Sequence, residues 1–525
     1  MRRSAAALFS ATVALAGTLT AVPAQAGTSP SATTAQPSEI TWRDCHTDDY
    51  PTLQCASLKV PLNYAEPHGR QITLALSRTP HTAKKSQAPL LINPGGPGVS
   101  GLDIAGWLPP LLPKAVAAQY DFIGFDPRGV GQSKPAVDCK PGYFAPVRPD
   151  SLPGTPALEK VNLARAKSFA EECGKKYGDV LPYINTISTA RDMDAIREAL
   201  GAKKINYLGY SGGTYLGAVY GKLFPERVRR MVLDSIVDPT KAWYDSNMSQ
   251  DPAIEGRYKA LMAWIATYND TYKLGTEPAA IEAKWYAMRA ELAKNPAGGK
   301  VGVSELEDTF LAGVYGNDAW PYLARAFAAY VNDKSSDHLV KEYEYYAEQA
   351  GSSSNNYSIY TAIECGDAPW PRDWNQWRKD NWAMYEKAPF LTWNNAWLNA
   401  PCAFWPTKPH KPMNVANTKL PPVLLFQATN DGATPYEGGV TVHHLLKHSS
   451  LVVEQGGGNH SITLRGNTCL DEYLANYLSD GTAPRGTGVA DAVCQKMPDP
   501  APLSTVQSAT APVGGSLHGM LGFRG

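Results

Sequence analysis

The chain has 525 residues, with 49 Lys and Arg balanced by 49 Asp and Glu, and this neutrality removes any general electrostatic case for nucleic acid or an anionic membrane. The length allows roughly two to four domain-sized units, or one large domain with an insertion, either ample for a substantial core. In chain order, residues 1–26 read first as an export signal. Arg2 and Arg3 give a positive start, Ala5 to Val22 is apolar and rich in alanine, and Ala24-Gln25-Ala26 supplies an A-x-A cleavage site. A membrane anchor fits less well, because Ser, Thr and Gly interrupt the apolar run and the cleavage site ends it. The arginine pair lacks the fuller twin-Arg pattern, which points to the general export route. Residues 27–39 are rich in Ser, Thr and Pro, as in a disordered spacer or propeptide. No later segment is long and apolar enough to span a bilayer. The expectation is a secreted, extracellular protein, free of the membrane after cleavage.

Ser57 to Tyr64 and Gln71 to Arg78 alternate around Pro67-His68-Gly69 and read as a hairpin opening a sheet. Pro89 to Asn93 and Tyr120 to Phe125 are short buried strands, the second running into the polar turn Asp126 to Ser133. Pro156 to Lys176 reads as a helix with Thr155 as N-cap, and Thr189 to Leu200 as a second. Ile205 to Leu208 is a strand, Thr214 to Ala218 opens a helix, and Arg230 to Asp234 is the next strand. Strands alternating with helices imply a parallel sheet with right-handed crossovers. From about Thr240 to Val415 no clear apolar strand occurs, and Trp, Tyr, Ala and Lys dominate in a helical pattern. The α/β pattern then resumes with a strand at Pro422 to Gln427, a helix at Tyr436 to Leu446, a strand at Leu451 to Glu454 and a helix at Cys469 to Leu478. The expected organisation is one α/β domain in two pieces, 40–240 and 416–497. A helical cap at 241–415 lies between them, and a mobile tail rich in Ala, Pro, Ser and Gly follows at 498–525.

Eight cysteines fit an oxidising compartment. They permit 105 pairings, among which sequence alone does not choose. They nevertheless fall into four neighbouring couples, each closing a short loop: Cys45 with Cys55, Cys139 with Cys173, Cys365 with Cys402 and Cys469 with Cys494. With no C-x-x-C and no Cys/His cluster, neither a metal nor another cofactor is expected.

The segment Gly209-Tyr210-Ser211-Gly212-Gly213 lies between a strand and a small-residue helix start, the context of the nucleophile elbow of α/β-hydrolases, so the expected fold is an α/β-hydrolase domain, 40–240 and 416–497, with the helical cap inserted. A G-x-S-x-G run alone is common; here the flanking elements give it meaning. A serine hydroxyl needs a base to take its proton and a third group to orient the base. In this fold class the chain order is nucleophile, acid, histidine. Asp431 follows the strand at Val423 to Gln427, in a turn where an ordinary structural aspartate is the competing reading. Asp234, also at a strand end, is the runner-up acid, and Glu437 is weaker because it falls within the next helix. His460 follows the strand at Leu451 to Glu454 and a Gly456-Gly457-Gly458-Asn459 loop. Among the other histidines, His46, His68 and His81 precede the elbow, and His338 and His410 fall in the insertion. His443, His444 and His448 sit in or beside a helix, and His518 lies in the tail. Acyl transfer also needs donors for the developing oxyanion. Gly212 N–H follows the nucleophile, and Gly96 N–H in the loop Asn93-Pro94-Gly95-Gly96-Pro97-Gly98 is the expected second donor, against the reading of that loop as a plain Gly/Pro turn.

The loop Gly95-Gly96-Pro97-Gly98 and the stretch Gly124 to Gly131 resemble those of prolyl aminopeptidases. The elbow Tyr207 to Gly217 is similar to that of secreted bacterial tripeptidyl aminopeptidases, as are Ala362-Ile363-Glu364-Cys365, Asn394 to Trp397 and Asp431 to Gly438. The resemblance runs from about Ile40 to about Cys494, extends to the cysteine couples, and is strongest to prolyl tri-/tetrapeptidyl aminopeptidases. It implies a serine exopeptidase that removes short peptides from free N-termini, with Ser211, Asp431 and His460 at the family's triad positions. Gly212 departs from the pattern, since relatives often carry Tyr there; a backbone donor survives that change, but an aromatic wall is lost and any proline preference weakens with it.

An exopeptidase must sense a terminal ammonium, and a cap carboxylate would supply charge and acceptors. Glu364 is the first candidate and Asp367 the second, each against the reading of a plain surface carboxylate. Trp370, Trp374 and Trp397 are candidates to line the cleft, although such residues are more often core. The expected partners are peptides with a free N-terminus, and a monomer is the expected state. Two other functions stay open: an esterase or lipase with the same triad, and a non-catalytic binding protein on a hydrolase fold.

Overall fold

The computed structural model describes residues 40–348 and 354–503; the export signal, the spacer and most of the tail lie outside them. Among the described residues ten strands form one sheet: β1 Arg43–Asp44, β2 Gln54–Pro61, β3 Gln71–Thr79, β4 Leu90–Asn93, β5 Phe122–Asp126, β6 Ile205–Tyr210, β7 Val228–Asp234, β8 Val423–Ala428, β9 Ser449–Gln455 and β10 Ala492–Gln495. Their spatial order is β1-β2-β3-β5-β4-β6-β7-β8-β9-β10. The first four in that order pair antiparallel and the rest parallel. β4, β5, β6 and β8 are buried at every residue, as expected of strands covered on both faces, whereas β2 alternates toward solvent. The chain leaves β4 for β5 on one side and returns to β6 on the other. That reversal opens a crevice at the carboxyl ends of β4 and β6, where ligands of open α/β sheets bind.

The first long helix, Pro156–Tyr177, begins where Thr155 accepts a hydrogen bond from Leu158 N–H, with Pro156 at its first position. The second starts earlier than the apolar spacing suggests, at Thr186, because Asn185 caps it. Strands β1 and β10 escape the sequence reading. β1 is two exposed polar residues and β10 is mostly outside the core, so neither carries a hydrophobic signature.

Between β7 and β8 the chain forms helices, among them Tyr244–Thr267, Val303–Tyr315, Trp320–Asp333, Ser354–Asp367, Trp374–Tyr385 and Thr392–Asn399, and among the described residues it contributes no strand to the sheet. Part of this segment builds its own core, with Tyr258, Trp285, Phe310, Trp320 and Phe390 at its centre. Start of the tail included, the segment is a packed body: Trp264 Nε1–H donates to Pro500 O at 3.2 Å and Leu503 N–H to Tyr272 Oη at 3.1 Å. Disulfides join Cys45–Cys55, Cys139–Cys173, Cys365–Cys402 and Cys469–Cys494. Among the described residues no helix is long and apolar enough to cross a membrane.

Candidate active site

Ser211 stands between β6 and the helix Gly212–Leu223 with φ 52° and ψ −125°, a backbone conformation that costs a non-glycine residue and persists only where the surroundings enforce it. The enforcement is visible. A Cβ on Gly209 would lie 2.5 Å from Gly213 O, and one on Gly213 would lie 2.7 Å from Asn93 Oδ1. Tyr207 Oη–H also donates to Gly213 O at 2.7 Å. The β4 loop closes over this turn, so that a Cβ on Gly212 would meet Gly96 O at 2.6 Å. Gly212 is therefore the counterpart of a loop drawn in close, and the loop backbone occupies the space a larger side chain would fill. Gly212 N–H, at the first helical position, is one of the donors a helix leaves without an internal acceptor. Gly96 and Ser211 line the same cavity, of about 90 Å³.

Asp431 and His460 are 1 % and 3 % exposed. His460 Nδ1 lies 3.0 and 2.9 Å from the two Asp431 oxygens. Because an ionised carboxylate only accepts, Nδ1 carries the proton and Nε2 the lone pair. Asp431 is held in turn by Ala433 N–H and Thr434 N–H at 2.9 Å each and by the Thr434 hydroxyl at 3.0 Å. His460 Nε2 is buried and bonds to no protein group. Ser211 Oγ and Nε2 are thus not hydrogen-bonded in this state, a contact that commonly tightens only when substrate is bound.

The backbone nevertheless ties the two residues to one anchor. Ser211 N–H donates to Asp234 O at 3.0 Å. The Asp234 carboxylate receives Ile462 N–H at 3.0 Å, Thr463 N–H at 2.8 Å and the Thr463 hydroxyl at 2.6 Å. Ser461 N–H donates to Ser235 Oγ at 2.6 Å. Asp234, the second acid suggested by the sequence, makes these bonds to the loop just after His460. Burial pushes its carboxyl up, against these donors. Glu437 lines the cavity but has no bond to His460.

Glu364 also lines the cavity and is 3 % exposed. Asn247 Nδ2–H donates to its Oε2 at 3.3 Å. Burial, then the neighbouring Asp367 carboxylate, push Glu364 well above the usual range. Asp367 is absent from the lining; its Oδ1 accepts Thr186 N–H at 2.9 Å, and burial raises it to about 6. The sequence-suggested tryptophans are absent from the lining too. Trp370 and Trp374 stack on Trp377, and Trp397 stacks on Trp374 and Trp393. Trp243, Tyr315 and Tyr360 face the cavity instead. The sequence reading also missed an amide chain behind Glu364. Asn399 Nδ2–H donates to Asn247 Oδ1 at 3.2 Å, which fixes the Asn247 amide with its donor toward Glu364, and Tyr360 Oη–H donates to Asn399 Oδ1 at 2.8 Å. The Asn394-Asn395 pair was the available signal, but isolated amides have no period or motif that reveals their partners. Among the described residues no cluster of His, Cys, Asp and Glu is arranged to hold a metal ion.

This arrangement holds a strained serine, a base whose second ring nitrogen has no partner among the described residues, and a buried carboxylate in the serine's cavity. Residues 88–464 match the family model described as the alpha/beta hydrolase fold. A tripeptidyl aminopeptidase of Streptomyces coelicolor is 43% identical over 477 residues, covering 88% of this chain and 87% of that protein. The serine protease Hip1 of Mycobacterium tuberculosis is 32% identical over 455 residues, 82% of this chain and 86% of that protein. Carboxylesterase B of the same species is 33% identical over 487 residues, 87% and 91% of the two chains. The chain belongs to the α/β-hydrolase fold family, and within it to the family of the Streptomyces tripeptidyl aminopeptidases.

Proposed function

We propose that the protein is a secreted serine exopeptidase that releases tripeptides from the free N-termini of peptides. Ser211 attacks the scissile carbonyl while His460 Nε2 takes the hydroxyl proton. Asp431 holds the imidazole and stabilises the imidazolium. Gly96 and Gly212 N–H donate to the oxyanion, and the imidazolium returns its proton to the leaving amine. Water activated by the same base then releases the acyl-enzyme. Glu364 receives the substrate's ammonium. The observation that carries this reading is the buried Glu364 carboxylate facing the same cavity as Ser211. Four disulfides support an exported protein.

The test is mass spectrometry of products from matched free and N-acetylated peptides, with Ser211→Ala as control. Tripeptides from free peptides alone, and no product with Ser211→Ala, are expected. Equal cleavage of the acetylated series points to an endopeptidase. Hydrolysis of long-chain esters without peptide cleavage supports the second reading, an esterase, which the carboxylesterase B relative favours.

A further inference from the structure

Arg257 comes from the inserted helix Tyr244–Thr267 and is 6 % exposed. It reaches the junction of the acid turn and the base loop. A Cβ on Gly458, two residues before His460, would fall inside its guanidinium and 2.6 Å from Nε. A Cβ on Gly432, next to Asp431, would lie 2.8 Å from its Cγ. Two missing side chains thus make room for one arginine. Its Nη2–H donates to Asn317 Oδ1, its Cζ stands 4.9 Å from the Trp320 ring centroid, and its Nε is buried without a protein partner. Around it the insertion grips the base loop. Asn317 N–H donates to Asn459 Oδ1 at 2.9 Å and His460 N–H to Tyr315 O at 2.8 Å, while Arg465, whose Nη1–H donates to His460 O at 3.1 Å, is paired with Asp318 of the insertion at 2.9 Å.

We propose that Arg257 is a positioning residue: wedged between Gly432 and Gly458, it fixes the spacing of the acid turn and base loop and places its positive charge beside the Asp431–His460 pair. This rests on the triad reading above. The acidic groups acting on Arg257 are Asp499 and Asp431, and Glu437 lines the same surface cavity as Arg257 and Asp431. Asp499 is shared with Asn317 Nδ2–H at 2.7 Å and Lys496 Nζ at 2.8 Å, and Arg465 is paired with Asp318 at 2.9 Å. Burial lowers Arg257 to about 10, with Asp499 and Asp431 opposing the drop, so it is charged at neutral pH. A coupled pair takes up its proton as a unit. A cation beside it opposes that proton whichever member binds it, so loss of the charge is read in the acid limb of the pH profile.

The test is the pH profile of kcat/KM on a free-amine peptide, for the full chain and for Arg257→Met, Arg257→Gln and Arg257→Lys. In Met and Gln the acid limb, which reports the base in the free enzyme, moves up by about one pH unit. That is about tenfold lower kcat/KM on the acid side. KM is little changed, and Lys keeps the limb near that of the parent. A parent-like limb in Met or Gln overturns the proposal, as does a limb in Lys that moves as far as in Met. If Arg257→Met fails to fold, Arg257→Gln, which can still reach toward Asn317, carries the test. If neither neutral variant folds, Arg257→Lys decides alone: a parent-like limb supports the charge argument and a shifted limb overturns it. Turnover by Ser211→Ala would sink the triad reading instead, whatever the Arg257 variants do.

Discussion

Glu364→Gln separates function from stability, because the two move in opposite directions. In the free protein the carboxylate is buried with Asn247 as its hydrogen-bond donor at 3.3 Å, and its folded-state affinity for a proton is raised by burial and by Asp367. A raised carboxyl binds its proton more tightly in the folded than in the unfolded chain. Stability therefore falls as pH rises from the unfolded value of about 4.3 toward the folded one. Gln has the shape without the charge, so the variant lacks that fall and melts at a higher temperature than the parent near neutral pH. Asp367 is raised as well but is common to both proteins. With substrate bound the sign reverses, since an ammonium beside the carboxylate favours its ionised form. Losing one partner of a buried, hydrogen-bonded charge pair costs about 2–5 kcal/mol, so kcat/KM for free-amine peptides should fall by about 30-fold to several thousandfold. Any residual cleavage of N-acetylated peptides should be unaffected. Thermal melts from pH 4 to 8 and initial rates on paired free and acetylated substrates read both effects. Unchanged free-amine kcat/KM, together with a melt that tracks the parent at every pH, would refute the assignment.

Asp234→Asn turns an acceptor that receives Ile462, Thr463 and Ser235 into a group with its own N–H facing donors. We expect a loss of about 2–4 kcal/mol from one or two orphaned donors, read by urea unfolding, and at least a tenfold fall in kcat as the base loop loosens. Parent-like values for both would show that the anchor is dispensable. Gly212→Ala keeps the backbone N–H but places a methyl 2.6 Å from Gly96 O. Displacement of the loop should lower kcat by about 10- to 100-fold, less than outright loss of an oxyanion donor, with KM little changed. Burst kinetics on an activated ester would show a slowed acylation phase, and an unaltered burst would contradict the tight-loop argument.

Apart from β10, the parallel strands were legible because each is a short apolar run flanked by turn residues, and the elbow because its glycines are spaced for one backbone geometry. The acid turn and base loop followed from strand order alone. Asp234 was visible as a strand-end carboxylate, but its bonds come from backbone N–H groups more than 225 residues later, which no local pattern encodes. Trp370, Trp374 and Trp397 misled for the opposite reason. Aromatic composition announces a packed layer or a cleft wall equally well, and only their mutual stacking decides for the layer. Arg257 was invisible because the space it fills is defined by two glycines elsewhere in the chain.

On the proposed function, the length of the released peptide is a distance between the ammonium acceptor and the nucleophile, and the protein fixes both ends. The loop that presses on Gly212 also touches the helix carrying Glu364. A Cβ on Gly98 would meet Asn356 O at 2.5 Å and Tyr360 N at 3.0 Å. Glu364 lies one turn beyond Tyr360 and two beyond Asn356 on that helix, about 6 and 12 Å of rise. At its far end the helix is held by the Cys365–Cys402 bond, by Trp370 Nε1–H on Glu364 O at 2.7 Å and by Thr186 N–H on Asp367 at 2.9 Å. The Gly98 contact and the Thr186 bond thus tie this helix to the hydrolase body, while the disulfide and Trp370 tie the Glu364 turn to its own insertion. On the proposed function these ties set how far Glu364 stands from Ser211, and with it how many residues fit between them.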